Sequence, residues 1–173
     1  MESVTKIPFF KEISGDLETP LSIYLKFMDD RNSYLFESVE GGEKWARYSI
    51  IGLPTDKKID LSKNPLKDIE NFLKQNKAQS IPDLPDFHGG LVGYFSYETI
   101  RHIEKKLQNS SKEKLPHPDI SLMVSDEVVI YDNLKKSLFI VVHGNEETKK
   151  ECQERFELIH QKILEPLPAQ KSS

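Results

Sequence analysis

Residues 128–143 have the sequence VVIYDNLKKSLFIVVH. Two runs of β-branched and aromatic residues, Val128–Asp132 and Leu138–His143, flank the polar stretch Asn133–Ser137, which is typical of a β-hairpin. Parallel strands need a long crossover connection, usually a helix, and no helix fits between these two runs. The stretch therefore predicts antiparallel pairing.

Other segments of the chain extend this pattern. Four more runs have strand-like composition, namely Tyr34–Val39, Arg47–Ile51, Gly90–Tyr97 and Asp119–Val124. Three helices are predicted where a capping residue precedes apolar residues spaced by three and four, starting at Thr19-Pro20, Asn64-Pro65 and Asn145. Strands outnumber helices, so we expect an α+β fold with mainly antiparallel β-sheets and about three to four flanking helices. Proline-containing polar stretches predict loops at Gln79–His88 and Gln108–Pro118.

Composition excludes several classes of protein. The chain has 173 residues, enough for one domain with its own core. With 24 Lys and Arg against 28 Asp and Glu, it lacks the basic surplus of a nucleic-acid-binding protein. No apolar run approaches the roughly 20 residues of a membrane span, and no signal peptide is recognisable. The single cysteine, Cys152, precludes an internal disulfide, and we expect a cytoplasmic protein.

The sequence contains no recognised catalytic or metal-binding motif. Cys152 lies on the apolar stripe of the third predicted helix and is expected to be a core residue. The spacing of the glycines in Gly89–Phe95 fits neither a dinucleotide fingerprint nor a P-loop. It favours glycines that let a strand bend or let another backbone approach closely. The histidines are far apart in the sequence and none has a second ligand at a metal-binding spacing, so each is expected to stand alone: His88, His102, His117, His143 and His160.

The predicted hairpin between Tyr34 and Gly52 is the richest in polar and aromatic groups. Its first strand ends in Phe36-Glu37-Ser38 and its second begins with Arg47-Tyr48-Ser49. Strand alternation puts Arg47 and Ser49 on one face and Tyr48 on the other. A carboxylate, hydroxyls, a guanidinium and aromatic rings near one turn can bind a small zwitterion. On these residues alone, an ordinary edge hairpin remains the alternative.

A longer block around this hairpin resembles a known family. Residues 35–52, LFESVEGGEKWARYSIIG, are closely similar to the N-terminal domain of anthranilate synthase component I, a chorismate-utilising enzyme. Residues 89–98, GGLVGYFSYE, and the segment Pro118–Asp132 are similar to the same family, and Ile7–Phe10 stands where such proteins begin. The resemblance covers residues 5–165 and extends to the sister enzyme aminodeoxychorismate synthase component I.

The resemblance implies a two-domain lyase that converts chorismate and ammonia to anthranilate and pyruvate with Mg²⁺. It implies a glutamine amidotransferase subunit, component II, as the source of ammonia. It also implies feedback inhibition by L-tryptophan, bound allosterically at a Leu-Glu-Ser-like strand in which Phe36 replaces the commoner leucine. The strongest expectation for a tryptophan contact is Ser38, followed by Glu37 and then by Arg47, Tyr48 and Ser49 on the returning strand. Phe36 is also included among the implied tryptophan-binding residues.

The resemblance also implies a division of labour. Residues 1–165 correspond to the N-terminal regulatory domain and residues 166–173 to a linker. The catalytic residues and the Mg²⁺ ligands belong to a C-terminal domain outside this chain, so the isolated chain is expected to be inactive. It is expected to contact that domain, or to form homo-oligomers through uncovered strand edges and apolar faces. Two alternatives remain, namely the N-terminal domain of aminodeoxychorismate synthase component I, on the folate branch, and a stand-alone binding module.

Overall fold

Seven β-strands and three α-helices make up the described part of the chain. The computed structural model describes residues 6–37, 47–59, 61, 64–107 and 117–168. The strands are β1 (Ile7–Ser14), β2 (Asn32–Phe36), β3 (Tyr48–Thr55), β4 (Gly90–Phe95), β5 (Ile120–Ser125), β6 (Glu127–Asp132) and β7 (Ser137–Gly144). The helices are α1 (Pro20–Phe27), α2 (Pro65–Gln75) and α3 (Lys149–Leu164), with short 3-10 helices at Tyr97–His102 and Lys105–Leu107. The predicted α+β class is confirmed.

Five of these strands form one antiparallel sheet in the order β1-β7-β6-β3-β2. The β6–β7 hairpin is confirmed, with Val129 opposite Ile140 in its register. The sequence pattern does not predict β1, because Pro8, Lys11 and Glu12 interrupt its apolar residues. These residues suit the edge of a sheet, where one side of the backbone needs no partner strand.

Helices α1 and α3 cover one face of the five-stranded sheet. The predicted apolar stripe of α3 is buried there, including Cys152. Each large apolar side chain buried in this way contributes about 1.5–3 kcal/mol. The core on this face contains Ile23 from α1, Cys152, Phe156, Ile159 and Ile163 from α3, and Ile51, Leu53, Val129, Tyr131, Leu138, Ile140 and Val142 from the sheet.

The opposite face of the sheet packs against the loop before β4 and against a second sheet. Val128, Ile130, Phe139 and Val141 form a cluster there with Leu84 of the loop. The second sheet consists of β4 and β5, paired antiparallel. Its close backbone approach is confirmed, since a Cβ atom on Gly93 would lie 1.9 Å from the main-chain oxygen of Ser121.

The helix starts follow from side-chain caps. Thr19 accepts a hydrogen bond from the Ser22 N–H at 3.0 Å, as predicted for the start of α1. Helix α3 begins at Lys149 rather than at Asn145, because the Asn145 side chain accepts from the Thr148 N–H at 2.9 Å and forms a turn ahead of the helix. None of the described helices combines the length and apolar character needed to cross a membrane.

One of the two predicted loops is described in full. Residues 79–88 contain neither helix nor strand, as predicted. Most of the second loop, residues 108–116, lies outside the described residues, as do residues 169–173 of the predicted linker.

Candidate functional site

Strands β2 and β3 form the predicted second hairpin pairing. Leu35 lies opposite Ile51 and Phe36 lies opposite Ile50. Strand β2 ends at Phe36 rather than at the predicted Val39, and β3 continues to Thr55. Residues 38–46, with Ser38 and the predicted turn, lie outside the described residues.

The described site residues from β2 are open to solvent. Phe36 is the last residue of the strand, and 52% of its surface is exposed. Glu37 follows it and is exposed. The Phe36 ring centre lies 4.8 Å from that of Tyr34, at an interplanar angle of 37°. An acidic group and an aromatic ring are therefore presented together where β2 ends.

The site residues from β3 divide between the two faces of the sheet. Tyr48 is partly exposed and packs with Ile50 on the face covered by the second sheet. Ser49 is fully buried and alternates to the opposite face. Its hydroxyl oxygen accepts a hydrogen bond from Asn133 Nδ2 at 3.1 Å. Tyr48 is thus accessible, whereas the Ser49 hydroxyl already has a partner inside the protein.

Arg47, just before β3, is held by a buried carboxylate. Arg47 Nε and Nη2 donate to Asp132 Oδ2 at 3.0 and 2.6 Å, and the guanidinium carbon lies 4.9 Å from the Tyr48 ring centre. Asp132 is fully buried. Burial alone would raise the pKa of Asp132, but the hydrogen bonds from Arg47 and from the N–H groups of Lys135 and Leu134 outweigh it and lower that pKa.

Tyr34 joins the site to the second sheet. Its ring crosses Gly52, its register partner on β3, where a Cβ atom would lie 1.9 Å from Tyr34 Cε1. Its hydroxyl lies 2.9 Å from Ser125 Oγ on β5. Burial raises the pKa of Tyr34 to about 12, although the hydrogen bond with Ser125 opposes this shift. Phe36 therefore packs against a tyrosine whose ring is held over Gly52 and whose hydroxyl is hydrogen-bonded to Ser125.

Two histidines that are far apart in the sequence form a pair in the fold. The expectation that each histidine stands alone is wrong for His88 and His143, since His88 Nδ1 lies 3.0 Å from His143 Nε2. His143 Nδ1 donates to the main-chain oxygen of Asp126 at 3.0 Å, so in the neutral pair His88 is the donor to His143. Burial lowers the pKa of both rings. No local pattern indicates the pair, because long-range packing creates it.

The surroundings of this pair contain further charges but no metal-binding cluster. Asp126 forms ion pairs with Lys6 at 2.5 Å and with Lys57 at 3.1 Å. Lys6, Asp126 and His143 line a cavity of about 290 Å³. Among the described residues, no three His, Cys, Asp or Glu side chains come together in a way that could hold a metal ion.

Strand β4 presents an apolar surface. Tyr94 and Phe95 are about half exposed, and Tyr97, just beyond the strand, is 87% exposed. Among the described strands, β4 pairs only with β5. One edge of the second sheet and three aromatic rings are therefore uncovered in the described part of the chain.

Known proteins resemble this chain over most of its length. The family model for chorismate binding enzymes matches residues 31–173. Anthranilate synthase component 1 of Pseudomonas aeruginosa is 40% identical over 188 residues, covering 96% of this chain and 38% of that protein. The protein of the same name from Acetivibrio thermocellus is 37% identical, covering 92% of this chain and 36% of that protein. The chain thus spans less than two fifths of the length of these relatives. It belongs to the chorismate binding enzyme family.

Proposed function

We propose that this chain is the regulatory, tryptophan-binding part of an anthranilate synthase component 1, a cytoplasmic lyase that makes anthranilate and pyruvate from chorismate and ammonia. The observation that carries the proposal is the 40% identity to a protein of that name over 96% of the chain. Residues 1–165 form the regulatory unit in this proposal, which agrees with the end of α3 at Leu164.

The chemistry at the ends of β2 and β3 suits tryptophan. The exposed Glu37 offers a carboxylate to the ligand's ammonium group, and the rings of Phe36 and Tyr48 offer an apolar wall to its indole. In this proposal Ser38 supplies a hydroxyl for hydrogen bonding. Arg47 and Ser49 have partners within the protein, so we assign them to the support of the site.

The chemical step is proposed to belong to the rest of the enzyme. The described residues bring together no carboxylates suited to Mg²⁺, so we assign no residue of this chain to that ion. The relatives are named component 1, which supports a second component as partner, proposed to be a glutamine amidotransferase subunit. The uncovered surface of Tyr94, Phe95 and Tyr97 is proposed to contact the rest of the enzyme. Light scattering of the isolated chain should then report self-association, and a strict monomer at high concentration would contradict this assignment.

The test uses the full-length enzyme that contains this chain. With chorismate, ammonia and Mg²⁺ it should produce anthranilate, and tryptophan should inhibit it. Ser38→Phe should abolish inhibition, whereas the same substitution at the exposed Ser80 should not. Aminodeoxychorismate as the product would place the protein on the folate branch, and no chorismate-dependent product would favour a stand-alone module.

Linkage supplies a second, quantitative test. If tryptophan weakens chorismate binding from a separate site, chorismate must weaken tryptophan binding by the same factor. The tryptophan concentration for half inhibition should therefore rise with chorismate. Because the tryptophan site is proposed to be shared with the other domain, calorimetry should detect weak binding or none to the isolated chain. Low-micromolar affinity would refute a shared site.

A further inference from the structure

The β6–β7 turn holds the start of β3, where the segment from Ser38 to Ala46 rejoins the described chain. The Arg47 side chain binds Asp132 through two nitrogens. The Arg47 main-chain oxygen accepts a hydrogen bond from the Asn133 N–H at 2.8 Å. Side chain and backbone of Arg47 are thus both attached to the same two consecutive residues.

Asp132 is suited to be a rigid anchor. Its side chain is fully inaccessible, whereas that of Arg47 keeps 30% exposure. Two main-chain N–H groups of the turn, from Leu134 and Lys135, donate to Asp132 Oδ1 at 3.0 and 3.1 Å. A buried carboxylate is stable only when its oxygens are paired, so the turn fixes the carboxylate and the carboxylate fixes Arg47.

The same turn also reaches the next two site residues. Asn133 Nδ2 donates to the Ser49 hydroxyl. The Arg47 guanidinium lies against the Tyr48 ring, so the orientation of Arg47 also sets the environment of Tyr48. Arg47, Tyr48 and Ser49 of the candidate tryptophan site are therefore all connected, directly or through Arg47, to Asp132 and Asn133.

We infer that Asp132 is a positioning residue for the tryptophan site, acting through Arg47 on the β3 side of the ligand. The inference rests on the proposed function, and it assigns regulation rather than chemistry to the β6–β7 turn. It also gives a role to a fully buried carboxylate that belongs to no metal-binding cluster among the described residues. Arg47 then influences tryptophan binding through its fixed orientation.

The test measures tryptophan inhibition in the full-length enzyme. Asp132→Asn should raise the half-inhibitory concentration by roughly 3- to 30-fold, the usual range for residues that transmit coupling between sites. The double variant with Arg47→Ala should rise no further than Arg47→Ala alone, because the two residues act as one unit. Loss of folded enzyme would lower the rate at every tryptophan concentration and leave the half-inhibitory concentration unchanged.

A control comes from another arginine–carboxylate ion pair, one that does not involve the β6–β7 turn. Arg155 Nε and Nη2 donate to the two carboxylate oxygens of Glu127, each at 2.9 Å. Glu127→Gln removes the charge of this pair and should leave inhibition unchanged. If Asp132→Asn does not fold, Asn133→Ala removes only the side-chain bond to Ser49 and should still raise the half-inhibitory concentration.

Three results would separate a failure of the proposed function from a failure of this inference. An uninhibited wild-type enzyme would overturn the proposed function and this inference together. The second result is that Ser38→Phe abolishes inhibition, whereas Asp132→Asn and Asn133→Ala keep the half-inhibitory tryptophan concentration of the wild type. That result would overturn this inference alone. An equal rise in the half-inhibitory concentration of Glu127→Gln would also overturn it, because the effect would then not be specific to the contact between Asp132 and Arg47.

Discussion

Replacing Gly52 by alanine is expected to destabilise the fold by about 2–4 kcal/mol. The new methyl group would lie 1.9 Å from Tyr34 Cε1 and 2.4 Å from Cδ1 and Cζ, far inside van der Waals contact. Gly52 lies in the regular strand β3, without the left-handed φ of Gly89 or Gly90. The steric contact with Tyr34, rather than backbone strain, is therefore the source of the cost.

The magnitude follows from what Tyr34 does. Its ring is 8% exposed and cannot move without disturbing the core, and overpacking of this kind costs about 1–3 kcal/mol. A displaced ring also loses its hydrogen bond with Ser125, worth about 1 kcal/mol. Phe36, whose ring rests on Tyr34, should shift as well, so tryptophan inhibition of the full-length enzyme should weaken.

Urea unfolding of the chain, followed by circular dichroism, measures this effect. With a slope of about 2 kcal/mol per M, the midpoint should fall by about 1–2 M. The matched background is Tyr34→Val, which removes the ring but keeps a β-branched strand residue. In that background Gly52→Ala should cost less than about 0.5 kcal/mol, because alanine restricts the unfolded chain more than glycine does. An equal cost with and without the ring would refute the proposed clash.

Other features of the described chain allow further predictions. The free energy of unfolding should fall as the pH drops below about 6.5. The pKa values of His88 and His143 are lowered in the folded chain, so the unfolded chain binds more protons, and the loss should continue until the pH has passed the folded-state pKa values. In urea titrations at pH 5–8, His88→Phe should flatten this dependence. In thermal unfolding, Lys26→Met should lower the free energy of unfolding by about 1–3 kcal/mol, because the buried ammonium group donates to Glu18 and to a main-chain oxygen of α3. The control Lys11→Met, on the surface, should change it by less than about 0.5 kcal/mol. Cys152 is buried, which raises the pKa of its thiol, so a disulfide reagent should label it only after urea is added; rapid labelling of the native chain would contradict this burial.

Local patterns predict most of the elements but not their arrangement. The strand composition and the caps at Thr19 and Asn64 identify six strands and two helix starts, because these signals depend on neighbouring residues. Strand β1 escapes, since an edge strand tolerates Pro8 and charged residues. The start of α3 is displaced because Asn145 caps a turn instead of the helix.

In the candidate site too, local patterns predict individual residues but not the long-range contacts between them. The hairpin and its family resemblance predict Phe36, Glu37 and Tyr48 as site residues, and that assignment stays a prediction. The contact of Asp132 with Arg47 cannot be predicted, because it depends on the pairing of β3 with β6, which are far apart in the chain. The His88–His143 pair depends in the same way on how the loop before β4 meets β7.

The strand order also constrains how the chain is made. Strand β1 emerges from the ribosome first, yet its partner is β7, with Ile7 opposite Gly144. At ~5–20 residues per second, synthesis of the intervening chain takes on the order of ten seconds. During that time β1 has no strand to pair with. The apolar residues of β3 and β6 stay exposed to solvent until α3 has been synthesised and can cover them. Products of translation that stops before β7 are therefore expected to aggregate, and this part of the protein should depend on chaperones more than its size alone suggests.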